Sequence, residues 1–151
     1  MENNKLVLIE DTRFIFETNF SGDPKRDKYG NDDRNFNIIL PDDIATQLID
    51  EGFNVKCTKP NDEYDAQYFV KVNVKFECKY PPRIYLVSGD NKPELLNEST
   101  VGIIDGAYVK KVNATLSKYY NIKNDKWSLY VRVLYVEQDV DNDPFAARYR
   151  K

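Results

Sequence analysis

Tyr119 and Tyr120 stand just before the polar segment 121–126, Trp127 stands just after it, and Lys123 and Lys126 lie between them. Rings beside flexible cations suit a non-covalent chemistry, in which flat groups stack on the aromatics and anionic groups meet the ammonium ions. For the bases of a single nucleic-acid strand such stacking is worth about 1–3 kcal/mol each. A second set lies in "YFVKVNVKFECK" (68–79). Alternation places Tyr68, Val70, Val72, Val74, Phe76 and Cys78 on one face of a strand, and Phe69, Lys71, Asn73, Lys75, Glu77 and Lys79 on the other. A core face would thus back onto a face carrying three lysines, an asparagine and a phenylalanine. On charge alone, lysines solvating the outer face of a strand are the simpler explanation.

Charge is segregated along a chain whose formal net charge is only −3. Residues 107–136 hold Lys110, Lys111, Lys118, Lys123, Lys126 and Arg132 against Asp125 alone, while acid gathers in 90–105 and 137–143. Local basic faces on an acidic protein fit a polyanion held along one groove. The segment "NFSGDPKRDKYGNDDRNFNIIL" (19–40) offers Tyr29 and Arg34 beside Lys25, Arg26 and Lys28, but four aspartates balance them. It makes no simple phosphate clamp, and a plain surface loop is an equal reading.

Histidine is absent from the sequence. That removes the commonest general base, the commonest transition-metal ligand and every Ser-His or Cys-His arrangement. The three alternate aspartates of "DVDNDP" (139–144) lack the glycine and distal glutamate of a calcium loop, and no glycine pattern cradles a phosphate. The reading is a non-enzyme without metal or cofactor. Cys57 and Cys78 fit no metal spacing and are expected as buried, reduced thiols. No membrane-length apolar run and no signal peptide is visible, which places the protein in the cytoplasm.

The elements that would position these residues are mostly strands. Segment 5–20 reads as one long bent strand or two, and 34–40 as another. Segment 41–52 is the one helix, capped by Asp42, striped by Ile44, Ala45, Leu48 and Ile49, and stopped by Gly52. Segments 53–57, 68–79 and 83–87 are extended, and 107–120 with 127–136 form a hairpin. Within it Trp127 shares a face with Leu129, Val131, Val133 and Tyr135, so it is expected in the core, while Tyr119 and Tyr120 point to opposite faces. The fold class is mainly β: a five-stranded OB-fold-like barrel over 1–136, with one short helix, extra strands and loops, and a flexible tail over 137–151.

The run "NFSG" (19–22), "YG" (29–30), "RNFNIIL" (34–40), a helix ending "LIDEGFNVK" (48–56), then "YFVKVNVKF", "PPRIYLV", "VGIIDGAYV", "YY" and "DPFA" resembles the phage-encoded single-stranded DNA-binding proteins with an OB fold. The resemblance covers nearly the whole chain through loosely spaced motifs. It implies an accessory of phage DNA replication or recombination that coats single strands in the host cytoplasm, as a monomer or homodimer. It also implies recruitment of replication proteins through an acidic tail, although "AARYRK" here adds three positive charges after that tail. The helix lies earlier than in the commonest OB arrangement. The expected single-stranded DNA contacts are Lys71, Lys75, Lys79, Phe69, Asn73, Tyr119, Tyr120, Lys123, Lys126, Trp127, Arg132, Tyr29, Arg34 and Lys111. The alternative is a non-catalytic protein-interaction module, a virion component or inhibitor, using the same barrel face on a protein.

Overall fold

The computed structural model describes residues 6–26, 30, 33–60, 65–79, 81–89 and 92–138. Within them lie β1 (Leu6–Thr12), β2 (Phe14–Asn19), β3 (Asn35–Leu40), α1 (Asp42–Glu51), β4 (Lys56–Cys57), β5 (Tyr68–Asn73), β6 (Arg83–Ser88), β7 (Glu94–Leu96), β8 (Val109–Asn121) and β9 (Lys126–Gln138). Two 3-10 segments, Pro24–Arg26 and Val101–Gly106, complete the fold. The fold is mainly β with one helix, as the alternation implies. The nine strands form one sheet in the order β1-β8-β9-β5-β3-β2, with β4 added to β5, β6 added to β9, and β7 added to β6.

The two ends of that order, β1 and β2, are consecutive in the chain and separated only by Arg13, whose carbonyl accepts from the Ile39 amide at 3.0 Å. The bent strand expected over 5–20 is therefore present as a pair, its first half against β8 and its second against β3. β9 runs two residues past the expected domain limit at 136, and the remainder of the expected tail lies outside the described residues.

The core is built from the inward face of each strand. Phe36, Ile38 and Leu40 of β3, Val70 and Val72 of β5, Ile84 and Leu86 of β6, and Val112, Ala114 and Leu116 of β8 are all buried at alternate positions. Phe20 and Phe36, which bracket the long polar loop, are fully buried and stack at 5.1 Å, with Phe14 edge-on to Phe36 at 5.0 Å. Each such side chain contributes roughly 1.5–3 kcal/mol by leaving water. These rings are anchors of the fold.

Several expectations are corrected. The strand expected over 68–79 ends at Asn73, where its amide side chain donates to the Leu129 carbonyl at 3.3 Å and ties β5 to β9. Residues 74–79 then leave the sheet, so Cys78 is exposed rather than on a core face, and Cys57 is exposed too. Asp42 does not cap α1: the N-cap position is Pro41, with no side-chain cap bond. Asp42 and Asp43 instead sit in the first turn, where the helix dipole favours negative charge. Of the helix stripe, Ala45 and Leu48 are buried and Ile49 is not.

The C-terminus of α1 does follow the sequence. Gly52 has φ 97°, and the Gly52 and Phe53 amides donate to Ile49 and Leu48 carbonyls at 3.1 and 3.0 Å, closing a Schellman motif. A Cβ at Gly52 would also stand 3.3 Å from the Trp127 ring. That ring lies 5.3 Å from Phe53 and 5.0 Å from Tyr120. Trp127 is thus a brace between the hairpin tip and the helix end, and it remains 37% exposed instead of joining Leu129 and Val131 in the core.

Candidate nucleic-acid interface

The β8–β9 hairpin carries the site, and one irregularity in it decides which side chains face out. Thr115 pairs with Val133 and Leu116 with Val131, so Arg132 is an extra residue on β9. A bulge of this kind reverses the alternation beyond it. Leu129 and Val131 are buried before it and Leu134 and Val136 after it, whereas Val133 and Tyr135 turn away from the core face assigned to them. Arg132 is thereby placed, exposed, in the middle of the outer surface.

On that surface Tyr130 lies beside Ser117, its direct partner on β8, and the Tyr119 and Tyr130 rings meet edge to face at 6.0 Å. Segment 75–79, having left the sheet after Asn73, forms the opposite side. Together they line an open groove of about 660 Å³ that collects Lys75, Lys79, Lys118, Tyr119, Tyr130 and Arg132. Four of the residues expected from the sequence therefore share one groove: Lys75, Lys79, Tyr119 and Arg132. Such a site can hold a flat group against a tyrosine while cations meet an anionic chain.

Lys118 and Tyr130 were not foreseen. Tyr130 was accessible to the alternation, since it falls opposite the Leu129–Val131 face. Lys118 was not, because its role depends on a distant partner. Its side chain is nearly buried and lies 2.6 Å from Glu51 at the end of α1. Burial alone would raise the Glu51 pKa, but hydrogen bonds with Lys118 and Gln47 hold this carboxyl below its usual value. A depressed carboxylate pKa contributes stability that is present above the unfolded-state value and lost as pH falls through the folded one. The tie between hairpin and helix is therefore expected to loosen only below the ordinary carboxylate range. A shift in Trp127 emission on acidification, absent in Glu51→Gln, checks this. An identical acid titration in both proteins would place the loosening elsewhere.

The other expected residues are spread more widely. Phe69 and Lys71 lie on the outer side of β5, opposite Ile39 and Asn37, with the Phe69 ring edge-on to Phe16 at 5.1 Å. Asn73 lies between this surface and the groove and is occupied by its bond to Leu129. Tyr120 donates its hydroxyl to Asp125, which raises its pKa, and it packs on Trp127. Lys123 and Lys126 are exposed at the hairpin tip.

Arg34 is committed to the fold. It donates to the Phe20 carbonyl at 2.6 Å, pairs with Glu98 at 3.7 Å and lies over the Phe76 ring at 5.4 Å. Lys111 lies at the far end of the hairpin from the tip, 3.4 Å from Asp11 and 3.6 Å from Glu137, and its hydrogen bond with Asp11, reinforced by Glu137, raises its pKa. Tyr29 lies outside the described residues. Among the described residues no cluster of carboxylates and thiols is arranged to hold a metal, and no helix is long and apolar enough to cross a membrane.

Two solved structures share the fold. The single-stranded DNA-binding protein from bacteriophage Enc34 superposes with a TM-score of 0.54 at 9% identity, over 91% of this chain and 83% of that one. The C-terminal truncation of that protein superposes with a TM-score of 0.52 at 8% identity, over 91% and 86%. At such identities the likeness concerns the fold alone. Curated protein sequences give no match. A family model described as "Putative phage ssDNA-binding domain" matches residues 2–150. With nearly the whole length matched, the chain belongs to the phage single-stranded DNA-binding domain family.

Proposed function

We infer that the protein coats single-stranded DNA without sequence preference during phage replication or recombination, protecting it by binding and performing no chemistry on it. The observation that carries this reading is the groove in which Lys75, Lys79 and Arg132 surround Tyr119 and Tyr130. Cations track a phosphate backbone whatever its sequence, and every base has a face to lay against a ring. Lys71 and Phe69 on the adjoining β5 surface, and Lys123 and Lys126 at the hairpin tip, extend the basic track on either side. Lys111 and Arg34 serve the fold in this reading, and Tyr120 and Trp127 act through the hairpin they brace.

The strand path supports an OB-like arrangement. If β1 and β2 count as one bent strand, the order returns to its start through β3, β5, β9 and β8, a five-membered ring to which β4, β6 and β7 are additions. The parallel contact of β5 with β9, at Asn73 and Tyr130, fits that ring. The expected setting is the host cytoplasm, with the protein a monomer or homodimer and the residues that follow β9 recruiting replication proteins.

The test exploits the two thiols. Cys78 lines the groove, whereas Cys57 is exposed on β4, away from it. Oligo-dT is expected to quench intrinsic fluorescence, to bind more weakly as salt rises, and to slow maleimide labelling of Cys78 several-fold while Cys57 reacts at its free rate. Duplex DNA should give far less of each effect. No quenching at low salt, or equal protection of both thiols, would defeat the proposal. Partner protein recovered after nuclease treatment, with oligo-dT inert, would instead favour a protein-docking module.

A further inference from the structure

The groove beside Tyr119 does not end at Arg132. A second depression of about 580 Å³ continues from it and shares Leu6, Lys79 and Arg132 with the first. Its floor is Thr115 and Val133, a directly paired couple lying two residues on from Ser117 along β8, or roughly 7 Å. Its walls are apolar, from Phe76, Pro81, Pro82 and Leu95, and Arg83 adds a cation at the start of β6. Among the described residues of its lining the one acid, Glu98, is paired with Arg34.

Resting on the reading of the first groove, we propose that this second depression is a further station for the same single strand, so that one DNA chain passes over Lys79 and Arg132 from one groove into the other. Three features select this occupant. The two depressions are continuous, and the junction itself carries two of the cations, which suits an anionic chain that must cross it. Apolar walls beside cations match a nucleotide, whose base needs burial while its phosphate needs charge. Leu95 is 59% exposed and Arg83 is also exposed, so neither is held outward by the demands of the core.

The experiment compares oligo-dT of about six and about twenty nucleotides, chosen to fall on either side of a single-groove site. Wild-type protein should bind the longer oligonucleotide considerably more tightly, with a steeper salt dependence. Arg83→Ala should leave the short oligonucleotide within about twofold. For the long one it should lower affinity and flatten the salt slope by about 0.7, the value of one phosphate contact on a single strand. Leu95→Asp, a surface change that spares the core, should reproduce the selective loss for the long oligonucleotide, by about fivefold or more. If wild-type protein binds neither length, the reading of the first groove fails. If it binds both but neither variant discriminates between them, or the variants weaken the short oligonucleotide equally, the second station is overturned.

Discussion

Reversing the charge of Lys75 and Lys79 together should weaken single-stranded DNA binding at low salt by roughly a hundredfold. Each lysine lines the groove that also holds Arg132, Tyr119 and Tyr130. Losing a phosphate contact at each position, at about 1.4 kcal/mol per tenfold step, gives that magnitude before any added repulsion from the new carboxylates. The slope of log affinity against log salt should flatten by about 1.4, or 0.7 for each contact. Both lysines lie on a segment outside the sheet, so the melting temperature should stay close to that of the wild type. Unchanged affinity with an intact fold would show that the strand follows another surface.

Tyr119→Ala supplies the contrasting arm. Its ring touches Tyr130 and its side chain is about half exposed, so its removal costs the core little. Binding should weaken by about tenfold, within the range for one stacked base, while the salt slope stays as it was. Charge and stacking are thereby separated: one variant set alters the slope and the other alters affinity at constant slope. Lys111→Ala is the natural control, because Asp11 and Glu137 already engage that ammonium far from the groove.

Much of this arrangement is legible in the residues themselves. Alternation in 107–120 and 127–136 gives the long hairpin, and Gly52 marks the end of the helix through a left-handed backbone conformation that other residues rarely adopt. Lys75, Lys79, Tyr119 and Arg132 of the groove are visible as basic and aromatic candidates in two separate segments. What alternation cannot carry is an interruption of its own period. The bulge at Arg132 inverts the faces of β9, and the departure of the chain after Asn73 divides one apparent lysine row between two surfaces. Both depend on pairings between distant strands. The same holds for Lys118 with Glu51, and for Arg34, whose partners lie at Phe20, Phe76 and Glu98.

Removing the Asp105 carboxylate should have the largest effect on stability of any single polar substitution considered, even though the sequence marks Asp105 only as one of the acids gathered in 90–105. Val101–Gly106 is a 3-10 segment whose Val101 and Ile104 are buried, and Asp105 projects from it with a side chain only 6% exposed. Its Oδ1 accepts from the Thr18 hydroxyl at 2.7 Å and the Phe20 amide at 2.8 Å, and its Oδ2 accepts from the Ser21 amide at 3.0 Å. Arg26 stands 3.6 Å away and binds the Thr18 carbonyl at 2.9 Å, so it follows the same anchor. Contact is close here: a Cβ at Gly102 would lie 2.9 Å from that of Ser21, which leaves little room for rearrangement. Asp105→Ala would leave the Phe20 and Ser21 amides and the Thr18 hydroxyl without this acceptor, and Arg26 with Glu17 as its remaining carboxylate neighbour, a change that costs about 3–5 kcal/mol in all. For a chain of this size that corresponds to a fall in melting temperature of roughly 6–20 °C. Asp105→Asn keeps the shape and one acceptor oxygen, so it should lose about half as much. Since Asp105 and the groove lie on different elements, oligo-dT affinity measured well below the lowered melting point should change little. A melting temperature within a degree or two of wild type would mean that the Asp105 carboxylate does not anchor the 19–26 loop.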